Sequence, residues 1–388
     1  MKGQIRMRGS TYSVIVPLGK DETGKKRYKW VTCHSKKEAQ AKRAELVHLA
    51  NMGTLVSPKG TLGEFIERWL EEYAKPNVSP TTAETYGKIA RAHVLPALGK
   101  IPLKDLKPEH LQHFYSDRLG KGLSPTTIRH HHMLLHKALG DAVRWGLLAR
   151  NIADAVSPPL NIRKEMRILN DIEINKVLSE TRDTKYFILF TVDLMTGLRR
   201  SELLGLQWAD VDLIMAELSV ARSLHRLITG ETIYRPPKTV KSRRTVALSP
   251  ATCQLLREHL QKTMDMCSRL NIPFTNERLV FSEPDGSPLR PDTITQAWHR
   301  MAKKMNLNGV RFHDLRHSHA SLMLKQGVHP KIVQERLGHS TIAVTLDTYS
   351  HVTPGLQRAA AERLDSFIDV QNSKRIASTV MSSKRTLQ

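Results

Sequence analysis

The sequence predicts a multidomain chain, mainly α with small β-sheets. A β-sheet plus one helix comes first, then an all-α segment, then a mixed α+β segment. Three observations predict this. At 388 residues the chain has room for two or three domains. Apolar residues recur at helical spacing, as in Leu62, Phe65, Ile66, Trp69, Leu70 and Tyr73, which line one helix face. Runs rich in β-branched and aromatic residues are confined to the first 33 residues and to a patch around 216–248.

The elements follow in order. Residues 11–18 (TYSVIVPL) and 26–33 (KRYKWVTC) read as a β-hairpin around the polar GKDETGK, with MKGQIRM a weak third strand. Ser35 and Glu38 form a capping-box signature that opens a helix through Leu46, Val47 and Ala50. This first segment is 1–60, ending in the linker-like TLVSPKG. In the second segment, 61–156, Thr61 and Glu64 make another capping box. SPTT occurs at 79–82 and again at 124–127, with Ser placed to cap and Pro at the first helical position. KPEHLQHFYSDRL is a further helix, for four or five in all. The basic, proline-containing SPPLNIRKEMR, 157–167, is a linker. The third segment, 168–370, starts with helices at 171–180 and 184–196, passes through the β-rich patch and returns to helices. The last of these begins at Thr353-Pro354 and carries Leu356, Ala360, Leu364, Phe367 and Ile368 on one stripe. The tail, 371–388, has four basic residues, no acids and no apolar periodicity, which reads as disorder.

Composition narrows the class. Sixty Lys+Arg against 37 Asp+Glu leave a net charge of +23, which attracts polyanions, nucleic acid first and an anionic membrane second. No apolar run approaches the roughly 20 residues that span a bilayer, and no apolar region follows the basic N-terminus, so neither a membrane span nor a secretory signal is expected. Cys33, Cys253 and Cys267 fit no disulfide framework or zinc spacing, which suits a reducing cytoplasm.

Four clusters in the third segment carry chemistry. In TGLRRSELLGLQW, 196–208, a helix breaks at Gly197, and Arg199 and Glu202 lie at i, i+3 on the next one. Glu202 either orients a neighbouring arginine or receives helix-end hydrogen bonds; the plainer reading is a surface ion pair. In PPKTVKSRRTVAL, 236–248, a basic turn joins two strand-like runs and places Lys238 near a hairpin tip, unless the turn is merely a solvated face. In RFHDLRHSHAS, 311–321, His313 and Arg316 lie at i, i+3. His313-Asp314-x-x-His317 imitates a zinc motif, but Asp in place of Glu shortens the base and no third ligand is evident. In LGHSTIAVTLDTYSHV, 337–352, His339 precedes a helix and Tyr349 lies near its end. His130, His131, His132 and His136 form a separate group with no carboxylate nearby in sequence, which either faces nucleic acid or packs. Together the third segment assembles two Arg, one Lys, two His and one Tyr. Arginine forks match phosphate oxygens, fixed cations stabilise charge gathered at phosphorus, and Lys and His move protons. A tyrosine needs cationic surroundings or a base before it attacks.

On these motifs the sequence resembles the tyrosine recombinases of the phage-integrase family over nearly the whole chain. The family order Arg, Lys, His-x-x-Arg, His, Tyr maps to Arg199, Lys238, His313, Arg316, His339 and Tyr349, with Lys241 close enough to compete with Lys238. The resemblance implies a site-specific integrase in which Tyr349 attacks the scissile phosphate, forming a 3′-phosphotyrosyl link and releasing a 5′-hydroxyl. It implies that Arg199, Arg316 and His339 hold the non-bridging oxygens, that Lys238 is the general acid and His313 the general base, and that Glu202 supports the site. No cofactor, ATP or metal is implied. The implied domains are an arm-binding sheet whose basic residues Lys25, Lys26, Arg27 and Lys29 contact DNA, an all-α SAM-like core-binding domain, and the catalytic domain. The implied partners are double-stranded DNA at core-type and arm-type sites, three further copies in a tetramer, and an excisionase and a DNA-bending host factor, all in the bacterial cytoplasm. The last helix packs either on its own core or on a neighbouring subunit. A type IB topoisomerase-like enzyme and a non-catalytic DNA-binding accessory protein are the competing readings; the arm-like domain argues against the first, and six matching residue types against the second.

Overall fold

The computed structural model describes residues 3–20, 26–51, 60–160, 166–236 and 243–349. Lys25, Lys238, Lys241, the helix expected from Thr353 and the basic tail lie outside them. The chain divides into two compact units, Met1–Arg163 and Lys164–Gln388.

The first unit opens with an antiparallel sheet of three strands, β1 (Gln4–Arg8), β2 (Thr11–Lys20) and β3 (Lys26–Cys33), in that order. The weak third strand is therefore β1, turned into β2 at Gly9, whose φ of 58° suits a residue without Cβ. Helix α1 (Lys36–Asn51) covers one face of the sheet, burying Val14, Val16, Cys33, Ala39 and Leu46. Its start is capped as the sequence implies: Glu38 N–H donates to Ser35 Oγ (3.1 Å), and His34 N–H to the Glu38 carboxylate (2.9 Å).

The rest of this unit is helical. Helix α2 (Leu62–Trp69) runs through a π-helical turn, Leu70–Ala74, into α3 (Lys75–Asn77). Helix α4 (Pro80–Ile89) likewise passes through Ala90–Val94 into α5 (Leu95–Leu98). The long helices α6 (Pro108–Gly120) and α7 (Pro125–Arg144) complete the bundle. Thr61 and Glu64 form a reciprocal capping box, and Ser79 and Ser124 each accept from the N–H three residues on. The core holds the predicted apolar face of α2 with Leu111, Phe114, Ile128, Leu134 and Leu135. A buried carboxylate reaches into it: Asp141 of α7 accepts from Trp69 Nε1 at 2.9 Å. Of the histidine group of α7, His131 is buried while His130 and His136 are exposed, and the expectation that the group has no carboxylate nearby needs correction. His136 meets Asp154 at 2.8 Å, eighteen residues along the chain, while His132 faces the Tyr115 hydroxyl at 2.9 Å.

The second unit begins with α8 (Asp171–Glu180) and α9 (Phe187–Thr196), the latter starting three residues later than the sequence suggests. Helix α10 (Arg200–Leu204) follows, then the short strands β4 (Val211–Asp212), β5 (Glu217–Ser219), β6 (Ser223–Arg226), β7 (Thr232–Arg235) and β8 (Thr245–Ala247). The strands form two sheets, β4-β5-β8 and β6-β7. The basic stretch 236–244 is thus no simple hairpin, because the strands on either side of it pair with different partners. The cause is burial: Val246 and Leu248 join Leu218 and Val220 in the core, so β8 pairs with β5 and not with β7. Helices α11 (Pro250–Arg269), α12 (Pro291–Lys304), α13 (Asp314–Lys325), α14 (Pro330–Leu337) and α15 (Ile342–Tyr349) close the unit. Its core centres on Phe190, Trp298 and Phe312, with Phe190 edge-on to Trp298 at 5.1 Å. All three cysteines are buried and unpaired. No helix among the described residues is long and apolar enough to cross a membrane.

Candidate active site

Two glycines place the site. Helix α9 ends at Gly197 (φ 66°) and α14 ends at Gly338 (φ 66°), both left-handed caps. These caps set three carbonyls, of Gly197, Leu337 and Gly338, toward two arginines. Arg316, 2% exposed, donates from Nη1 to Gly197 O and from Nη2 to Leu337 O, both at 2.6 Å. Arg199 donates from Nη2 to Gly338 O at 2.9 Å. Both arginines are therefore held by backbone on one side, which fixes a guanidinium without neutralising it.

Arg199 is not on the helix face that its spacing from Glu202 suggests. It is the N-cap of α10, in extended conformation, and Glu202 is the third residue of that helix. The Glu202 carboxylate accepts from Arg199 N–H (2.9 Å) and from Arg199 Nη1 (2.6 Å), so it caps the helix and orients the arginine at once. It is no surface ion pair, since its side chain is 7% exposed. Burial opposes its charge, but the hydrogen bond and charge of Arg244, then the charge of Arg199, hold its carboxyl down at about 2.

His313 is the N-cap of α13 and stands edge-on to His317, ring centres 4.9 Å apart. Burial, then His317 and Arg316, lower it to about 4. His339 follows the Gly338 cap, and its Nδ1 lies 2.9 Å from Thr345 Oγ1 of α15. Burial, then Arg316, Arg199, His317 and Arg244, lower it to about 3. Both imidazoles are neutral at physiological pH, able to accept a proton or donate a neutral N–H. Tyr349 is the last residue of α15. The zinc-like motif is otherwise engaged: Asp314 accepts from Arg311 N–H (2.7 Å) and from its guanidinium (2.9 Å). Among the described residues no three His, Cys, Asp or Glu side chains are grouped to hold a metal.

A cleft of about 720 Å³ opens onto this cluster, with Arg199, Arg200, Arg226, Arg290, Arg311 and His313 in its walls. Its lining is strongly cationic and suits an extended polyanion.

Four side chains that stand out in the structure escaped the sequence reading. Arg244 is nearly buried and bonds both oxygens of Glu202 (3.2 and 2.9 Å) and the Arg336 carbonyl (2.6 Å). A signal existed: Arg244 shares strand parity with the buried Val246 and Leu248, which puts an arginine on the core side. Arg336 ties Met195 O, Ala247 O and His319 Nε2 together at 2.9–3.0 Å. On the N-terminal sheet, Tyr28 and Trp30 are large and exposed on the face away from α1. Of the four basic residues singled out there, Lys26 and Arg27 lie in β3, and Lys29 alternates with Val31 and Cys33 on the α1 side.

Comparison with known proteins settles the family. The phage integrase family matches residues 164–355, and the N-terminal SAM-like domain of phage integrases matches 61–118. A tyrosine recombinase XerC-like protein of Caldanaerobacter subterraneus subsp. tengcongensis is 30% identical over 377 residues, covering 92% of this chain and 96% of that one. The chain belongs to the phage integrase family of tyrosine recombinases. The ICEBs1 integrase of Bacillus subtilis is 30% identical over 282 residues, 72% of this chain and 76% of that one. Among solved structures, the Tn1549 transposon integrase in complex with a circular intermediate DNA matches with a TM-score of 0.67 at 23% identity, over 79% of this chain and 100% of that one. That likeness is one of fold, and the mainly helical recombinase fold with small antiparallel sheets is the one expected. As a member of the family the chain is a site-specific recombinase acting through a tyrosine intermediate.

Proposed function

We propose that this recombinase is an integrase of a phage or mobile element, with Tyr349 as its nucleophile. The phenolic oxygen attacks phosphorus and the bond to the 5′-oxygen breaks, leaving a 3′-phosphotyrosyl link. His313 takes the phenolic proton and Lys238 gives one to the departing 5′-oxygen. Arg199, Arg316 and His339 bear on the non-bridging oxygens, where charge gathers. The 5′-hydroxyl of a partner strand then attacks the phosphotyrosine and restores the DNA. Energy is kept in the covalent bond, so the chain needs neither ATP nor metal.

The observation that carries this reading is the convergence of two arginines fixed by backbone carbonyls with a histidine just before the helix ending in Tyr349. In the same proposal residues 1–60 bind arm-type DNA, 61–156 clamp core-type DNA with 168–370, and 157–167 link them. On the sheet, the exposed Tyr28 and Trp30, on the face away from α1, are proposed to meet the DNA. Four copies assemble on two duplexes in the bacterial cytoplasm, with an excisionase and a DNA-bending protein as candidate helpers.

Covalent capture tests the reading. Wild type and Tyr349→Phe are mixed with host and source DNA in EDTA, denatured, and the protein-linked fragments sequenced. Linkage by wild type alone at a discrete site is the expected result. Linkage by both removes Tyr349 as nucleophile, and linkage by neither leaves a DNA-binding protein without chemistry.

A further inference from the structure

Arg244 is nearly as buried as Arg316, with a side chain 6% exposed, whereas that of Arg199 is 37% exposed. A guanidinium is expensive to bury unless its donors are matched, and these are matched with purpose. Nη2 reaches Glu202 Oε2 at 2.9 Å, Nη1 reaches Oε1 at 3.2 Å, and Nε reaches Arg336 O at 2.6 Å. The group lies flat against the Gly338 cap: a Cβ there would come within 2.9 Å of Nη1 and 3.1 Å of Cδ. Glu202 therefore sits between two arginines, since Arg199 Nη1 is 2.6 Å from the same Oε1. One carboxylate faces two guanidiniums, and the trio keeps a net positive charge beside His339.

We propose that Arg244 is a positioning residue for strand cleavage: by occupying the Glu202 carboxylate, it leaves Arg199 an uncompensated charge for the phosphodiester. This rests on the reading that Arg199 holds the scissile phosphate. The argument is one of charge sharing. A carboxylate held by a fork on both oxygens has little left to neutralise a second cation. Without Arg244, Glu202 and Arg199 form a one-to-one pair, with the carboxylate as its buried member. The pull of that pair draws the Arg199 guanidinium off the Gly338 carbonyl and cancels the charge that the phosphate needs. Glu202 then changes from a support of the site into an inhibitor of it.

The reversal of sign is what makes the proposal testable. The probe is a nicked duplex bearing the site recovered by covalent capture, and the readouts are the single-turnover rate of tyrosyl-DNA formation at saturating DNA, DNA affinity and thermal midpoint. Arg244→Gln is expected to slow cleavage about 100-fold, the cost of a misplaced catalytic group, with a much smaller change in affinity. Glu202→Gln slows the wild type, yet added to Arg244→Gln it speeds that variant by about tenfold, because it removes the unpaired carboxylate. A purely structural Arg244 gives the opposite pattern: the thermal midpoint falls, and the second substitution makes cleavage slower still. Cleavage by Arg244→Gln within threefold of wild type, or a double variant slower than Arg244→Gln, overturns the proposal. If Arg244→Gln does not fold, Arg244→Lys carries the test, since it keeps charge without the fork and is expected to lose about tenfold; an unchanged rate overturns it. A wild type that forms no covalent link refutes the catalytic reading itself, a result distinct from any ranking of the variants.

Discussion

Gly197→Ala reports on how tightly the site is built. The residue has φ 66°, and an added Cβ would lie 2.6 Å from His319 Cδ2 and 2.9 Å from Leu337 Cδ2. Neither neighbour can retreat. His319 is clamped between Leu194 O (2.9 Å) and Arg336 Nε (3.0 Å), and Leu337 is wholly buried in the last turn of α14. Left-handed backbone costs an L-residue roughly 1–2 kcal/mol. Overpacking a rigid site adds about 1–3 kcal/mol. The sum is about 2–5 kcal/mol, which in a unit of this size lowers the thermal midpoint by roughly 2–4 °C per kcal/mol. Gly309→Ala is the control in the same unit: its φ is 80°, and an added Cβ meets nothing within 4 Å. It bears the backbone strain alone. Calorimetry on the full chain compares the two. Gly197→Ala should also lose tyrosyl-DNA formation, because the Gly197 carbonyl is a hydrogen-bond acceptor for Arg316. Equal destabilisation by the two substitutions would show that the packing around Gly197 is loose and refute the reasoning.

Further expectations follow from buried titratable groups and from charge. His131, His313, His319 and His339 are lowered to between about 3 and 4, burial being the first cause in each. Their folded values lie below the unfolded one, so the unfolded chain binds more protons and stability falls as pH drops from about 6.5 toward those values; urea midpoints across that range check the direction, and a flat profile contradicts it. His131→Phe should stabilise the helical bundle at pH 6 by about 1–3 kcal/mol, because neither ring nitrogen has a partner and the ring already stacks on Phe114 and His93; a lower midpoint would reveal a polar role. Asp193 is fully buried with no hydrogen bond to its carboxylate, and burial raises it well above its ordinary value. Its contribution is lost as pH rises, so Asp193→Asn should raise the thermal midpoint at pH 8 more than at pH 5, and the reverse order counts against it. DNA affinity should fall steeply between 50 and 200 mM salt, as counterion release requires, and removing residues 1–60 should weaken arm-site binding more than core-site cleavage. Equal loss of both would undo the separate assignment of the sheet.

Sequence alone determined what depends on neighbours along the chain. Ser35, Thr61, Ser79 and Ser124 start helices because a cap is satisfied within three residues, and the face of α2 is set by a spacing visible in eight letters. The family was legible in the same way, since its motifs are short and ordered. Gly197 could be read as a helix break because a left-handed cap is a property of one residue. Tertiary structure alone decided what those residues face. Arg316 reaches a carbonyl 119 residues away and Arg244 a carboxylate 42 residues away, and no local periodicity encodes either. The stretch 236–244 reads as a hairpin because strand propensity names strands, not partners; the core, by burying Val246 beside Leu218, assigned β8 to a different sheet. Whether Glu202 was a surface ion pair or a buried hinge between two arginines depended on desolvation, which only the packed chain imposes.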